Sequence, residues 1–435
     1  MISLGKLEGS SDRNRQHFLS EVQGAKNAML PLLYASVAAG IEVNLIGVPT
    51  QIIDFKANYE VLTSIGASIT ISGNRLAITS DDLNFSRLSW QAVRATRYSA
   101  LLLAVAASRR AAVSMPIPGG CDIQRPLDIH LDFFRALNST ACESGAGIEY
   151  RSSAGIERKR HRLRFPSVGA TINALIALAS SNSNFTLENI AIEPEVIQII
   201  EFLRAAGCEL EFTSIRSIKI SPRSLKGPLI WPVMTDRIEG ITKAVAAIIA
   251  RKRLTLKGIG VRYIASILAI FDQMGVEFTL NSAHDELTIY GDRLSRLNPV
   301  RIETGVHPAF PTDLQPIFAA ALVGAHGHSI IRENVIPGRF QYVDHWRSLG
   351  IDVKVIDDDL HINSDGVPPN LRDNFNFDAT DIRGGMASLL LAMSLAKEGV
   401  KISNERQILR GYEDLSFYYE VFGFGVSTEL CSKSA

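Results

Sequence analysis

At 435 residues the chain is long enough for two domains, each with a core of its own. Lysine plus arginine and aspartate plus glutamate both total 45, so no global basic field recruits nucleic acid or an anionic membrane surface, and any anion site must be a local cluster. The longest apolar stretches fall short of the roughly 18 residues that would suggest a membrane-spanning helix, and the first residues lack the apolar core of a signal peptide. Four cysteines without CxxC spacing fit a reducing compartment, so a cytoplasmic location is the expectation.

Residues 1–23 carry two strand-like stretches, MISLGKL and FLSEVQ, which are expected to pair with a late sheet and carry the chain back and forth between domains. One pattern then recurs six times. A helix rich in small and apolar residues leads into a strand; a second helix follows, ends in a residue that tolerates left-handed backbone, and gives way to alternating strand residues. The first helices begin in GAKNAMLPLLYASVAA (24), ATRYSALLLAVAAS (95), SVGATINALIALAS (167), TDRIEGITKAVAAIIA (235), FPTDLQPIFAAALVGA (310) and ATDIRGGMASLLLAMSLA (379). The second helices are expected to end at Gly66, Asn138, Gly207, Gly275, Gly350 and Gly423, residue types suited to a left-handed C-cap and spaced by about 70 residues. Three copies per domain predict two similar α/β domains with a cleft between them, and the near absence of charge on the first helices predicts that they are buried under the sheets.

The starts of the first helices collect the polar residues of the chain: Lys26 and Asn27, Arg97, Ser167 to Thr171, Asp236 and Arg237, Asp313, and Asp381 with Arg383. A helix N-terminus presents unpaired N–H groups and partial positive charge. The Asp, Ser and Thr members can serve as plain N-caps. Lys26, Arg97, Arg237 and Arg383 oppose the helix dipole unless an anion sits beside them, which points to a substrate with more than one acidic group. The stretch MPIPGGCDIQRPLDIH (115–130) adds a thiol on a glycine-rich loop and an arginine held by proline, the composition of a moving part of an active site.

The motifs GAKNA (24–28), PGGCDIQRPLDIH (118–130), PSVGAT (166–171), EPE (193–195), DRIE (236–239), HPAFPTDLQ (307–315), GRF (338–340), TDIR (380–383) and RGYE (410–413) occur in an order that resembles the enolpyruvyl transferase (EPSP synthase) family, most of all its branch acting on UDP-N-acetylglucosamine. The resemblance covers residues 20 to 425. It implies an α/β (α+β) architecture of two inside-out α/β barrel domains built from six units, one formed by 24–234 with a mobile Cys121 loop and the other by 1–23 plus 235–435, with the active site in the cleft. The implied reaction moves the enolpyruvyl group of phosphoenolpyruvate to the 3-hydroxyl of UDP-N-acetylglucosamine and releases phosphate, the first committed step of peptidoglycan precursor synthesis. No cofactor, metal, nucleic acid, membrane or protein partner is expected. A form closed by the sugar nucleotide is.

The resemblance also implies roles. Lys26, Arg125 and Arg410 grip the phosphate and carboxylate of phosphoenolpyruvate, and Asn27 and Arg97 contact the sugar nucleotide. Arg125, Pro126, Leu127, Asp128 and Ile129 resemble the segment lining the uracil; Ser167, Val168 and Gly169 resemble the diphosphate loop. Asp313 is the candidate base beside the sugar hydroxyl, and Val335 lines the substrate. Arg237, Arg339, Asp381 and Arg383 belong to the second domain's share of the site. Cys121 matches the mobile-loop cysteine that donates a proton, takes part in product release and is alkylated by fosfomycin.

Other signals have bland readings. Cys142, Cys208 and Cys431 are structural, and His307 supports a turn. HGH (326–328) reads as a loop, since two histidines without further ligands are a weak metal signal. DDD (357–359) reads as a turn and RKRHR (158–162) as a solvated strand edge. The chain departs from the family in a Cys121-to-Arg125 step one residue short, and in Leu409, Ile172 and Gly240. Two alternatives therefore stay open: an enolpyruvyl transferase with another nucleotide or sugar acceptor, such as UMP, and a paralogue that binds a nucleotide sugar without turnover.

Overall fold

Each of the six repeat copies forms its two helices. The computed structural model describes residues 2–7, 17–120, 126–152, 158–366 and 372–426. The first helices are Lys26–Ala39, Leu102–Ser108, Val168–Ala179, Arg237–Ile249, Gln315–Leu322 and Ile382–Leu395; the second are Ile53–Ser64, Asp128–Ala136, Pro194–Ala205, Ala265–Gln273, Val343–Ser348 and Ser416–Phe422. The residues expected to terminate the second helices all have positive φ, from 61° at Asn138 to 106° at Gly66 and Gly207. Left-handed backbone there turns the chain from helix into the following strand.

The chain divides into two compact units, residues 1–23 with 235–435, and residues 24–234. In the 24–234 unit the helices Lys26–Ala39, Leu102–Ser108 and Val168–Ala179 pack against one another; in the other unit Arg237–Ile249, Gln315–Leu322 and Ile382–Leu395 do the same. Helices buried on every side have no use for a polar face, which is why Lys26–Ala39, Val168–Ala179, Gln315–Leu322 and Ile382–Leu395 are largely apolar after their first turns; Arg237–Ile249 also buries a Glu239–Lys243 pair. Each buried Leu or Ile contributes about 1.5–3 kcal/mol relative to exposure, so the helical centre carries much of each unit's stability.

Three sheets belong to each unit, and among the described residues four of the six share one order. An edge strand runs parallel to the strand that follows a first helix, and that strand pairs antiparallel with a hairpin; in a fifth sheet Ile2–Lys6 and Phe424–Val426 take the hairpin's place. In the first copy, Leu229–Pro232 lies parallel to Val43–Ile46, which pairs antiparallel with Arg75–Thr79. Because the helices occupy the inside, the sheets bury one face only. Arg75–Thr79 accordingly alternates exposed and buried residues.

The strand-like stretches near the start complete sheets of the unit that contains them. His17–Glu21 is the parallel edge beside Arg253–Lys257, and Ile2–Lys6 pairs with Ala396–Ser403 and Phe424–Val426. HGH is not a loop. It opens the strand His326–Arg332, whose Ser329 and Ile331 are buried while His328 faces out, and His328 Nε2 lies 2.9 Å from His361 Nδ1 across the hairpin. The alternation that marks this strand begins only at Ser329, too late to show in the three residues HGH. Arg160–Arg162 is a sheet edge, and Asp357 and Asp358 form a left-handed turn while Asp359 pairs with Arg332. Cys208 is buried, which pushes its thiol up to about 11, whereas Cys142 is exposed. Cys431 lies outside the described residues.

Three of the family departures lie among the described residues and pack without conflict, whereas the Cys121-to-Arg125 step lies outside them. Ile172 is buried in the helical centre, and Leu409 rests half-buried on the core. At Gly240 a Cβ would stand 2.3 Å from Ile259 Cδ1 and 2.9 Å from Val22 Cγ2, so a larger residue there requires these side chains to shift.

Candidate active site

In the 24–234 unit, helix starts bring together polar groups from distant repeats. Lys26 opens its helix buried, and its Nζ donates to Asp54 Oδ2 at 3.2 Å. The partner carboxylate offsets the cost of placing a cation at the positive end of a helix. Next to it, Asn27 Oδ1 accepts from Tyr98 Oη at 2.9 Å. Thr96 caps the turn that starts with Arg97, and Arg97 Nη2 donates to the Pro126 carbonyl at 3.2 Å. Pro126 thus lies against Arg97. Leu127 is buried, Ile129 packs on the core, and Asp128 accepts from the Ile129 N–H and pairs with Arg164. Ser167 caps the helix that Val168 and Gly169 begin, its Oγ accepting from the Ala170 N–H. Cys121 and Arg125 lie outside the described residues.

Beneath Gly169 sits His130, 7% exposed, whose Nδ1 accepts from Asn173 Nδ2 at 2.7 Å. The amide orientation follows from its other bonds: Asn173 Nδ2 also donates to the Ala100 carbonyl, and its Oδ1 accepts from the Ala104 N–H. Burial first, and the Arg97 cation second, hold the imidazole neutral down to about 3.

The other unit holds an ionic cluster on three helix starts. Asp236 and Asp381 are N-caps: Asp236 Oδ1 accepts from the N–H groups of Ile238 and Glu239, and Asp381 Oδ1 from those of Arg383 and Gly384. Arg237 begins its helix buried. Asp313 differs, since its side chain caps nothing. It lies in the short turn Thr312–Leu314, 29% exposed, and both oxygens meet arginines: Arg339 Nη2 donates to Oδ1 at 2.9 Å and Arg383 Nη2 to Oδ2 at 3.3 Å. Arg383 is 2% exposed and lies over the Tyr412 ring. Burial would lower its pKa, but Tyr412, Asp313 and Asp236 outweigh burial and move it up. Arg383 Nη1 and Arg339 Nε are buried donors without a hydrogen-bond partner. Val335 donates its N–H to Glu333, and Arg410 donates to Gln407 Oε1 at 3.1 Å.

Residues 18–417 match the family of EPSP synthase (3-phosphoshikimate 1-carboxyvinyltransferase). The chain belongs to the EPSP synthase family of enolpyruvyl transferases. A relative from Kosmotoga olearia, UDP-N-acetylglucosamine 1-carboxyvinyltransferase, is 31% identical over 405 residues, 92% of this chain and 94% of its own. Among solved structures, the enolpyruvyl transferase NikO from Streptomyces tendae superposes with a TM-score of 0.85 at 23% identity, covering 98% of both chains. EPSP synthase from Acinetobacter baumannii gives 0.69 at 15%, covering 98% of this chain and 100% of its own. The enolpyruvyl transferase fold thus spans the chain, and among the described residues no helix is long and apolar enough to cross a membrane.

Sequence reading missed several members of these clusters, among them Tyr98, His130 and Asn173. Thr312 and Tyr412 lie inside the quoted motifs HPAFPTDLQ and RGYE, so adjacency to Asp313 and Arg410 could have found them. Asp54 and Glu333 stand in no motif and give no such signal.

Close by on the helix that Asp236 caps, Glu239 is buried and Lys243 Nζ lies 2.7 Å from its Oε1, while its Oε2 has no hydrogen-bond partner. Burial raises its pKa from 4.5 to about 7, with Lys243 acting the other way. A carboxyl raised by folding stabilises the fold fully below its unfolded value and loses that contribution as pH climbs to the folded value. Between pH 4.5 and about 7 the native state keeps a proton that the unfolded state has released. Glu239→Gln is therefore expected to lose less stability than the parent from pH 5 to pH 8, by up to about 3 kcal/mol in urea unfolding. Equal losses in the two proteins would show that Glu239 does not titrate in this window.

Proposed function

We propose that the chain transfers the enolpyruvyl group of phosphoenolpyruvate to the 3-hydroxyl of UDP-N-acetylglucosamine and releases inorganic phosphate. The observation that carries this reading is Asp313, held by Arg339 and Arg383, with Arg383 Nη1 and Arg339 Nε buried and unsatisfied beside it. Buried donors without partners call for an explanation, and anionic oxygens of a substrate supply one. The Kosmotoga olearia relative supports the choice of acceptor.

Addition protonates the methylene carbon of phosphoenolpyruvate, with Cys121 as donor, and makes the neighbouring carbon electrophilic. The sugar hydroxyl gives its proton to Asp313 and its oxygen bonds to that carbon. In the elimination, the new methyl group returns a proton to the Cys121 thiolate, the carbon–oxygen bond to phosphate breaks with its electron pair going to the leaving phosphate, which takes the proton from Asp313, and the double bond is restored. Lys26, Arg125 and Arg410 hold the phosphate and carboxylate, with Arg339 and Arg383 stabilising developing charge. Asn27, Arg97, the 125–129 segment, the 167–169 loop, Arg237, Val335 and Asp381 bind the sugar nucleotide and shape the site. The setting is peptidoglycan precursor synthesis in the cytoplasm.

Phosphate release from phosphoenolpyruvate, measured with UDP-N-acetylglucosamine and in parallel with UMP, tests the proposal. Release with the sugar nucleotide alone is the expected result. Release with UMP alone would replace the acceptor, and nucleotide binding without release from either would replace the enzyme by a binding paralogue.

A further inference from the structure

Glu333 is 3% exposed and follows the strand that ends at Arg332. Its Oε1 accepts from Thr304 Oγ1 at 2.9 Å and from the N–H groups of Val335 and Ile336 at 2.8 and 2.9 Å; its Oε2 accepts from Thr312 Oγ1 at 2.9 Å. Thr312 Oγ1 in turn accepts from Arg339 Nη1 at 3.0 Å, and Arg339 Nη2 donates to Asp313. The directions are forced. A guanidinium only donates, so the Thr312 oxygen accepts from Arg339 and its single hydrogen goes to the carboxylate.

We infer that Glu333, acting through Thr312, is the positioning residue that sets the orientation of the Arg339 guanidinium on Asp313, an inference that rests on the role proposed for that pair. The carboxylate is anchored by the backbone on which it sits, and it ties Thr304, at the end of the strand Arg301–Glu303, to the turn that carries Asp313. The turn is short and Asp313 is 29% exposed, so a side-chain bond from within the turn adds to what orients Arg339. The hydroxyl of Thr312 supplies that bond, with a charged group behind it. Glu333 touches neither Arg339 nor Asp313 among the bonds described, which makes its effect one of orientation.

Thr312→Val removes the hydroxyl at constant shape, and Thr312→Ser keeps it. Thr312→Val is expected to lower kcat about 10- to 100-fold, the scale of an ångström of misplacement, with little change in KM for phosphoenolpyruvate. Thr312→Ser is expected to stay within about threefold of the parent, and Glu333→Gln, whose amide would donate to Thr312 instead of accepting, to follow Thr312→Val. A folded Thr312→Val with parental kcat would overturn the inference. If Thr312→Val does not fold, Thr312→Ala takes its place with the same expectations.

A second readout does not need turnover. In 15N-arginine-labelled protein, the side-chain signals assigned by their loss in Arg339→Lys are expected to exchange slowly in the parent and in Thr312→Ser, and fast in Thr312→Val. Unchanged exchange in Thr312→Val would overturn the inference. A parent inactive with every acceptor, yet showing this exchange pattern, would sink the proposed reaction and leave the positioning role standing.

Discussion

Asp313→Asn is expected to lower turnover by about 10²- to 10⁴-fold, the range for loss of a positioned base, while the protein still folds and still binds the acceptor. An amide cannot take the hydroxyl proton. It also disturbs both arginines, because two acceptor oxygens now meet Arg339 and Arg383 and an amide offers only one. Whichever guanidinium faces the new NH₂ group is repelled by it. The stability loss is about 1–3 kcal/mol: Asp313 itself is 29% exposed, but Arg383 is 2% exposed and loses part of the charge that offsets its burial. Phosphate release and calorimetric titration with the sugar nucleotide read the two effects separately. A variant that keeps more than a tenth of parental turnover would remove Asp313 as the base.

The parent is also expected to lose up to about 5 kcal/mol of stability through His130 alone as pH falls from 6.5 toward 3. A histidine whose pKa is depressed by folding contributes stability that is fully present above its unfolded value. That contribution is lost as pH drops to the folded value, here about 3, because the unfolded state takes up a proton that the native state refuses. Burial is the main reason and the Arg97 cation the second. The hydrogen bonding agrees: a proton on Nδ1 would face the Asn173 NH₂ group, and Asn173 cannot turn over without breaking its bonds to the Ala100 carbonyl and the Ala104 N–H. Acid should therefore loosen the segment 126–130 together with the helix that Ser167 caps. Urea midpoints at pH 7 and pH 4 for the parent and for His130→Met give the measurement. His130→Met is expected to be less stable at pH 7 yet to lose less between the two pH values; parallel losses would show that His130 contributes nothing to acid sensitivity.

Much of the fold is legible before any coordinates. Gly66, Asn138, Gly207, Gly275, Gly350 and Gly423 end their helices in left-handed backbone, as their residue types require. The apolar helices that begin at Lys26, Val168 and Ile382 sit in the helical centres. Asp236, Asp381 and Ser167 are N-caps, the bland reading open to each, whereas Asp313 holds the same kind of place and instead carries two arginines. A residue type at a helix start does not distinguish these cases, because a cap is a bond to the next turn and an ion pair is a bond to another repeat. The motif resemblance points at Asp313, Arg339 and Arg383; what surrounds them has no comparable signal.

The sequence by itself determined the six-fold helix–strand alternation, the burial of the first helices and the turns that end the second ones. These depend on periodicity and backbone preference within a few residues, and such preferences act wherever the residues sit. Only the tertiary structure decided that Lys26 meets Asp54, that Asn173 fixes His130, and that Glu333 reaches Arg339 through Thr312. The Arg383–Asp313 pair spans 70 positions and the Thr304–Glu333 bond 29. A hydrogen bond exists only within about 3.5 Å and a narrow range of angles, and what brings side chains from separate repeats within that reach is the packing of the helices beneath them.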